Sequence, residues 1–177
     1  MSGHRVAVGK TGFYFNEPMA EKVRRVLAGL ATKIVPHTVS VGIHAREGSE
    51  LKIDYKGAQT PETVIEVALC HEFGIGVPQR AWLRSWFDSN LARLREEATA
   101  AMRAERDGDK GAVQAAAAKW AEEVRTWVQS GEAPLVDLAD MTKAERRRAG
   151  LSDAPPLFAT GQMMNAVTAK VDGQTVK

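Results

Sequence analysis

His71 and Glu72 are the residues of this chain most suggestive of chemistry, since they end an apolar run and precede Gly74. A zinc hydrolase would need a second histidine four residues after the first, so that both rings could meet one ion from one helix face. Position 75 is Ile75, and the other histidines lack metal-ligand spacing. The sequence therefore predicts no metal site and no cofactor, and we expect His71 and Glu72 to hydrogen-bond around a turn.

The single cysteine, Cys70, lies in the apolar run before that turn and is interpreted as a buried thiol. One cysteine excludes an internal disulfide framework and argues against a cysteine-based zinc site. Neither a G-x-S-x-G element nor a Walker-type phosphate loop occurs. We therefore expect that the chain is not an enzyme. An enzyme using Cys70, His71 and Glu72 is the alternative, and it predicts that His71→Ala abolishes activity with folding intact.

Glycine and proline follow the His-Glu pair and predict a sharp, rigid turn before the next helix. Its structural residues are His71, Glu72, Phe73, Gly74, Gly76 and Pro78.

Four large residues come next at helical spacing: Arg80, Trp82, Arg84 and Trp86. The tryptophans lie off the apolar stripe that runs through Leu83 and Phe87, and one helix cannot bury both sets against one neighbour. We interpret the stripe as core and the four residues as a subunit interface, because tryptophan and arginine are favoured interface anchors. The alternative is that both tryptophans are core.

Hydrophobic periodicity predicts an α+β fold. Alternation within 38–56 predicts two strands that pair as a hairpin, and alternation within 165–171 predicts a final strand, after which the chain turns away. Helices over 17–32 and 61–73 should cover this small, mainly antiparallel sheet. The second of them would start at Thr60, with Pro61 in its first turn.

A long helical segment completes the predicted fold. One helix over 80–106, a turn and a second helix should form an antiparallel hairpin over 80–131 that projects from the sheet. Thr142 and Glu145 have the spacing of a capping box, which predicts a short helix over 143–149. The length of 177 residues suits a single domain over 1–177.

Charge and hydropathy narrow the possible partners. The net charge of +2 argues against a dedicated nucleic-acid coat. Arg146, Arg147 and Arg148 could contact phosphates, but successive helical residues diverge by about 100°, so they cannot share one phosphate row. No apolar run approaches the roughly 18 residues of a membrane span, and no signal core is evident. We expect no membrane contact.

Three segments resemble the neck and tail-completion proteins of long-tailed bacteriophages, a family that includes minor tail and virion-morphogenesis proteins. Residues 71–84 match the pattern HEFG, then P-x-R-x-(Phe/Trp)-Leu-Arg. The stretch 39–43, VSVGI, is similar to the early V-x-V-G-(Ile/Phe) strand of that family. A C-terminal segment resembles P-L-x-x-T-G-x-(Leu/Met) through Pro156, Leu157, Thr160, Gly161 and Met163.

This resemblance implies a virion structural protein of the head–tail junction, either a neck or tail-completion protein or a tail terminator. It implies a ring of identical copies, six by analogy, bound to a head-side connector or stopper protein and to the tail tube protein. DNA would pass through the lumen without specific binding. The protein would reside in the neck or tail of the virion, and in the host cytoplasm during assembly. The alternative function is a small nucleic-acid-binding protein that uses Arg146–Arg148 and the tryptophans.

Overall fold

The computed structural model describes residues 6–8, 13–15, 21–22, 24–25, 36–54, 56–151 and 155–176. The chain divides into two units, Met1–Pro36 and His37–Lys177. In the first unit, strands β1 (Val6–Val8) and β2 (Phe13–Phe15) pair antiparallel. The helix predicted over 17–32 lies largely outside the described residues.

The second unit contains a three-stranded antiparallel sheet made of β3 (Val39–Ile43), β6 (Val167–Val171) and β7 (Gln174–Val176), in that order. The alternation of β6 buries Val167, Ala169 and Val171, as expected for a strand with one covered face. The α+β class is confirmed. The chain does not turn away after β6, because the turn at 172–173 returns it as β7.

A separate two-stranded sheet corrects the predicted hairpin. Strand β4 (Leu51–Ile53) pairs with β5 (Gln59–Thr63) and not with β3. Thr60 and Pro61 are consequently strand residues, and helix α1 (Val64–Phe73) begins later than predicted. Its cap is Thr63, in a reciprocal capping box with Glu66: the Thr63 amide donates to Glu66 Oε2 at 2.8 Å.

Four further helices follow: α2 (Trp82–Arg106), α3 (Ala112–Gln129), α4 (Asp140–Arg148) and α5 (Gln162–Asn165). Helix α3 contacts both α2 and the three-stranded sheet, and its apolar side is buried along its length, from Val113 to Val128. The predicted projection is therefore wrong, because α3 covers the sheet. Helix α4 begins at Asp140, so Thr142 lies inside the helix and is not its cap.

A polar network joins α2 to α3. Arg93 donates to Glu123 Oε2 at 2.6 Å and to Glu97 Oε1 at 2.9 Å. The Trp120 indole donates to Glu97 Oε2 at 2.7 Å, and Lys119 also pairs with Glu97. The Trp120 bond, followed by those from Lys119 and Arg93, lowers the pKa of Glu97 to about 2. The pairs 93–123 and 97–120 show that the two helices run antiparallel.

Candidate functional site around the turn between α1 and α2

Helix α1 ends in a tight turn whose shape depends on Gly74. Gly74 has a φ of 72°, and the amide of Ile75 donates to the Cys70 carbonyl at 2.9 Å. A β-carbon on Gly74 would lie 3.0 Å from Cβ of Gln79, on the returning chain. Both the left-handed backbone and the close approach therefore require glycine at this position. Phe73, Gly76 and Pro78 lie on the exposed side of the turn.

Glu72 caps the helix that follows the turn. The residue before α2 is Ala81, which has no side-chain acceptor for the first helical amides. The buried Glu72 carboxylate supplies one across the turn: Oε2 accepts from the Leu83 amide at 3.0 Å and Oε1 from the Arg84 amide at 3.2 Å. A negative charge at this end of a helix also interacts favourably with the helix dipole. Glu72 therefore links the end of α1 to the start of α2.

Arg80 ties the same turn to the segment that precedes α4. Its amide donates to the His71 carbonyl at 2.7 Å. Its guanidinium donates to the carbonyls of Val136 at 2.8 Å and Asp137 at 3.1 Å, and approaches His71 Nδ1 at 3.4 Å. Only 5% of Arg80 is exposed. Arg80 is thus an internal cross-link, and its prediction as an interface residue is wrong.

The two tryptophans also belong to the interior. Trp82 and Trp86 are each 2% exposed and lie in the core cluster that includes Leu94 and Ala101. The interface prediction is therefore wrong for both tryptophans. Of the four predicted interface residues, only Arg84 is exposed, and its 4.0 Å approach to Glu72 is a weak surface ion pair.

The stripe predicted as core faces partly outward instead. Leu91 is 45% exposed, and Met102 is also exposed, whereas Leu83 and Phe87 are half-buried and Leu94, a further member of the stripe, is buried. The stripe and the two tryptophans occupy neighbouring sectors of α2. Helical periodicity alone therefore does not tell which of the two sectors faces the core. Packing decides between them, because Trp82, Trp86 and Ala101 are buried in the same cluster as the apolar side of α3.

The C-terminal segment lies beside the turn. Pro156 and Leu157 are half-buried, Thr160 is exposed, and Gly161 precedes α5 with a φ of 74°. Met163 is buried in the core cluster. The sequence did not point to Gln162, whose side-chain amide donates to the Leu51 carbonyl at 2.9 Å and whose oxygen accepts from the Ile53 amide at 2.8 Å. Gln162 thereby fixes this segment to the edge of β4.

The turn and the C-terminal segment line one cavity of about 90 Å³. Its polar lining consists of Lys52, His71, Arg80, Arg146 and Thr160. Burial, and then the charges of Arg80 and Arg146, lower the pKa of His71 to about 4, so the ring is neutral at pH 7. Lys52 was not predicted as a site residue, because a lysine between two apolar residues of a short strand has the pattern of an ordinary solvated position.

An exposed apolar surface lies on the outer side of the turn. Leu69, Phe73 and Ile75 are 46%, 57% and 60% exposed. Leu69 and Phe73 are four residues apart on α1 and therefore share a helix face. We call these three residues the turn patch. The sequence signal for the patch was the run of four apolar residues at 67–70, which one helix face cannot bury together.

The described residues also bear on three other predictions, which concern a metal site, a buried thiol and a membrane span. No group of three His, Cys, Asp or Glu side chains in the described ranges could hold a metal ion. Cys70 is half-buried, so its prediction as a buried thiol is only partly right. Within the described part of the chain, no helix is long and apolar enough to cross a membrane.

Searches of protein-family models, curated proteins and solved structures found no match to this chain.

Proposed function

We propose that this chain is a structural protein of the head–tail junction of a long-tailed bacteriophage, where copies of it form a ring between the head connector and the tail tube. One observation supports the proposal: the three segments that carry the resemblance are neighbours in space. Strand β3 pairs with β6, which follows the C-terminal segment, and that segment shares a cavity with the turn. Gly42 of β3 lies against Leu83 of the turn's helix.

The three segments depend on one another structurally. They lie far apart in the chain but build one unit, so a change in one segment leaves groups in the others without their partners. The chain uses these residues for packing, capping and cross-linking, as Glu72, Arg80 and Gln162 do. Such use fits a protein whose work is to hold a surface in a fixed orientation.

The turn patch is the surface that we assign to the neighbouring copy in the ring. Its three apolar side chains project from a turn held by Glu72, Arg80 and Gly74. Exposed apolar residues that adjoin one another mark interaction sites. Ring closure requires a heterologous contact, in which this patch meets a different surface on the next protomer.

Light scattering of the purified chain and electron microscopy of purified particles test the proposal. Leu69→Glu should leave a folded monomer, because a charge in a packed apolar contact opposes association. Leu91→Glu is the matched control, since Leu91 on α2 is exposed to the same extent as Leu69 and lies outside the turn patch. Monomers alone in solution together with no copies in purified particles would contradict the ring. Equal effects of both substitutions would contradict the assignment of the patch.

The nucleic-acid alternative loses its two supports in the sequence. The tryptophans that would stack on bases are buried, and Arg146 is buried whereas Arg147 and Arg148 are exposed, so the three arginines do not present one surface. A gel-shift assay with duplex DNA at low and high salt checks this alternative, since binding through phosphates weakens steeply with salt.

A further inference from the structure

Three cationic side chains converge on the cavity between the turn and the C-terminal segment. Lys52 comes from β4, Arg80 from the turn and Arg146 from α4. The hydroxyl of Thr160 lies among them and accepts from Lys52 Nζ at 3.2 Å. Four separate elements thus bring polar groups to one small, partly open cavity, although like charges repel and burial of a charge carries a cost.

No carboxylate of the described residues balances Lys52 or Arg80 within 4 Å. The acids whose charges reach them are Asp54 and Asp137. Asp54 accepts from the amides of residues 56 and 58, and the Asp137 carboxylate binds Lys143. The strongest interactions of both acids are therefore with groups other than Lys52 and Arg80. A buried guanidinium held only by carbonyls is uncommon, because buried charges are ordinarily paired.

Unused hydrogen-bond donors remain on Lys52 and Arg80. A guanidinium has five N–H groups, and Arg80 directs three of them, to the two carbonyls and to His71 Nδ1. An ammonium has three, and Lys52 directs two of them, to the Ile53 carbonyl and to Thr160. Since Nδ1 of His71 accepts from Arg80, the proton of the neutral ring lies on Nε2, which adds another donor at the cavity wall.

The titration behaviour agrees with this picture. Burial lowers the pKa of Lys52, the charge of Asp54 opposes this and the charge of Arg146 adds to it. Burial also lowers the pKa of Arg80 against the charge of Asp137, and the charges of Arg80 and Arg146 contribute to the low pKa of His71. Burial therefore disfavours the charged forms of Lys52 and Arg80, and an anion bound between them would relieve this cost.

We propose that this cavity binds one phosphate-type oxyanion, held by Lys52 and Arg80 with Thr160 as an additional hydrogen-bonding group. Two cationic side chains suit a dianion better than a monoanionic carboxylate, and arginine matches the oxygen geometry of phosphate. The volume of about 90 Å³ accommodates a single phosphate-sized group. Apolar walls from Val67, Leu138 and Met163 leave no polar room for a nucleic-acid backbone. This site is independent of the proposed ring.

Calorimetric titration of the full chain with inorganic phosphate, in a chloride buffer without other oxyanions, tests the site. We expect saturable binding of one phosphate per chain, with Lys52→Gln weakening it about tenfold or more. Lys56→Gln is the matched control, because it removes the same charge from an exposed lysine outside the cavity lining. Arg147→Gln is a second control on α4, and it should leave phosphate affinity unchanged. Acetate should bind more weakly than phosphate.

A second measurement keeps the test decisive if Lys52→Gln or Arg80→Gln fails to fold. The ring protons of His71 are titrated by NMR in the wild-type chain, with and without sulfate, a phosphate-type oxyanion that keeps two negative charges near pH 4. Bound sulfate should raise the midpoint of His71, because a neighbouring anion favours the charged ring. Absence of saturable binding with an unmoved His71 midpoint would overturn the proposal. Equal weakening by Lys52→Gln and Lys56→Gln, or binding of a duplex oligonucleotide without binding of free phosphate, would overturn it as well.

Discussion

Removing the Glu72 carboxylate should destabilise the chain through helix α2, although Glu72 belongs to α1. The carboxylate accepts from two amides at the start of α2, those of Leu83 and Arg84, at 3.0 and 3.2 Å. Glu72→Ala leaves both amides without that acceptor in a place where Ala81 offers none. Glu72→Gln keeps one oxygen acceptor but loses the negative charge at the helix end.

The expected magnitude follows from these two interactions. Loss of an N-terminal cap costs about 1 kcal/mol, and loss of a partly buried charge near a helix N-terminus costs about 1 to 2 kcal/mol. Glu72→Ala should therefore lower the free energy of unfolding by about 2 to 3 kcal/mol. For a chain of this length that corresponds to a fall in Tm of about 5 to 10 °C. Glu72→Gln should cost about half as much.

Urea denaturation and thermal melting followed by circular dichroism measure this loss. Glu96→Ala is the matched control, because Glu96 lies on the exposed side of α2. This substitution removes the same type of side chain but leaves the cap at the start of α2 intact. Arg84→Ala separates the cap from the weak ion pair, and it should cost less than about 0.5 kcal/mol. If Glu72→Ala is as stable as Glu96→Ala, the capping argument is wrong. If Arg84→Ala reproduces the loss, the ion pair and not the cap joins the helices.

Three further outcomes are expected. Trp86→Ala should cost about 3 to 5 kcal/mol in urea denaturation of the isolated chain, since it leaves a large core cavity; unchanged stability would restore an interface role. Gly74→Ala should lower Tm more than Gly76→Ala, because both have a φ near 70° but only Gly74 has a neighbour within 4 Å; equal losses would refute the contact. The pKa of Glu97 falls from an ordinary 4.5 to about 2, so its contribution is complete above about pH 4.5 and is lost as the pH falls toward 2. The urea midpoint of the wild-type chain should fall between pH 5 and pH 3, and in Glu97→Gln it should fall less. An equal dependence of the midpoint on pH in both chains would contradict this account.

Much of the fold could be predicted from the sequence, because periodicity acts locally. The apolar spacing that buries Val113 through Val128 is that of an amphipathic helix, and the alternation at 167–171 is that of a half-buried strand. Strand pairing could not be read in the same way. Strand β3 pairs with β6, about 125 residues later in the chain, and not with the strand that follows it. The true cap at Thr63 competed with an equally good signal at Thr60, and the pairing of β5 with β4 decides between them.

The site was less predictable than the fold, because its contacts cross between elements. The sequence indicated a turn at His71 and Glu72, but not that the Glu72 carboxylate reaches α2. Trp82 and Trp86 look like surface anchors when the helix is considered alone. Once packing against the neighbouring elements is included, the same residues are core. Residue type therefore indicated which positions matter, and only the neighbouring elements indicated which way they face.

The corrected position of the tryptophans strengthens the argument for a turn that presents a surface. A contact through Trp82 and Trp86 would require a partner to reach side chains that are only 2% exposed. Instead, the tryptophans and Arg80 hold the returning chain inside the protomer, and Glu72 and Gly74 fix how sharply it returns. The same constraints leave the turn patch outside, on a backbone whose position is set by buried groups. A contact repeated around a ring needs this rigidity, because angular errors at each interface would add up and prevent closure.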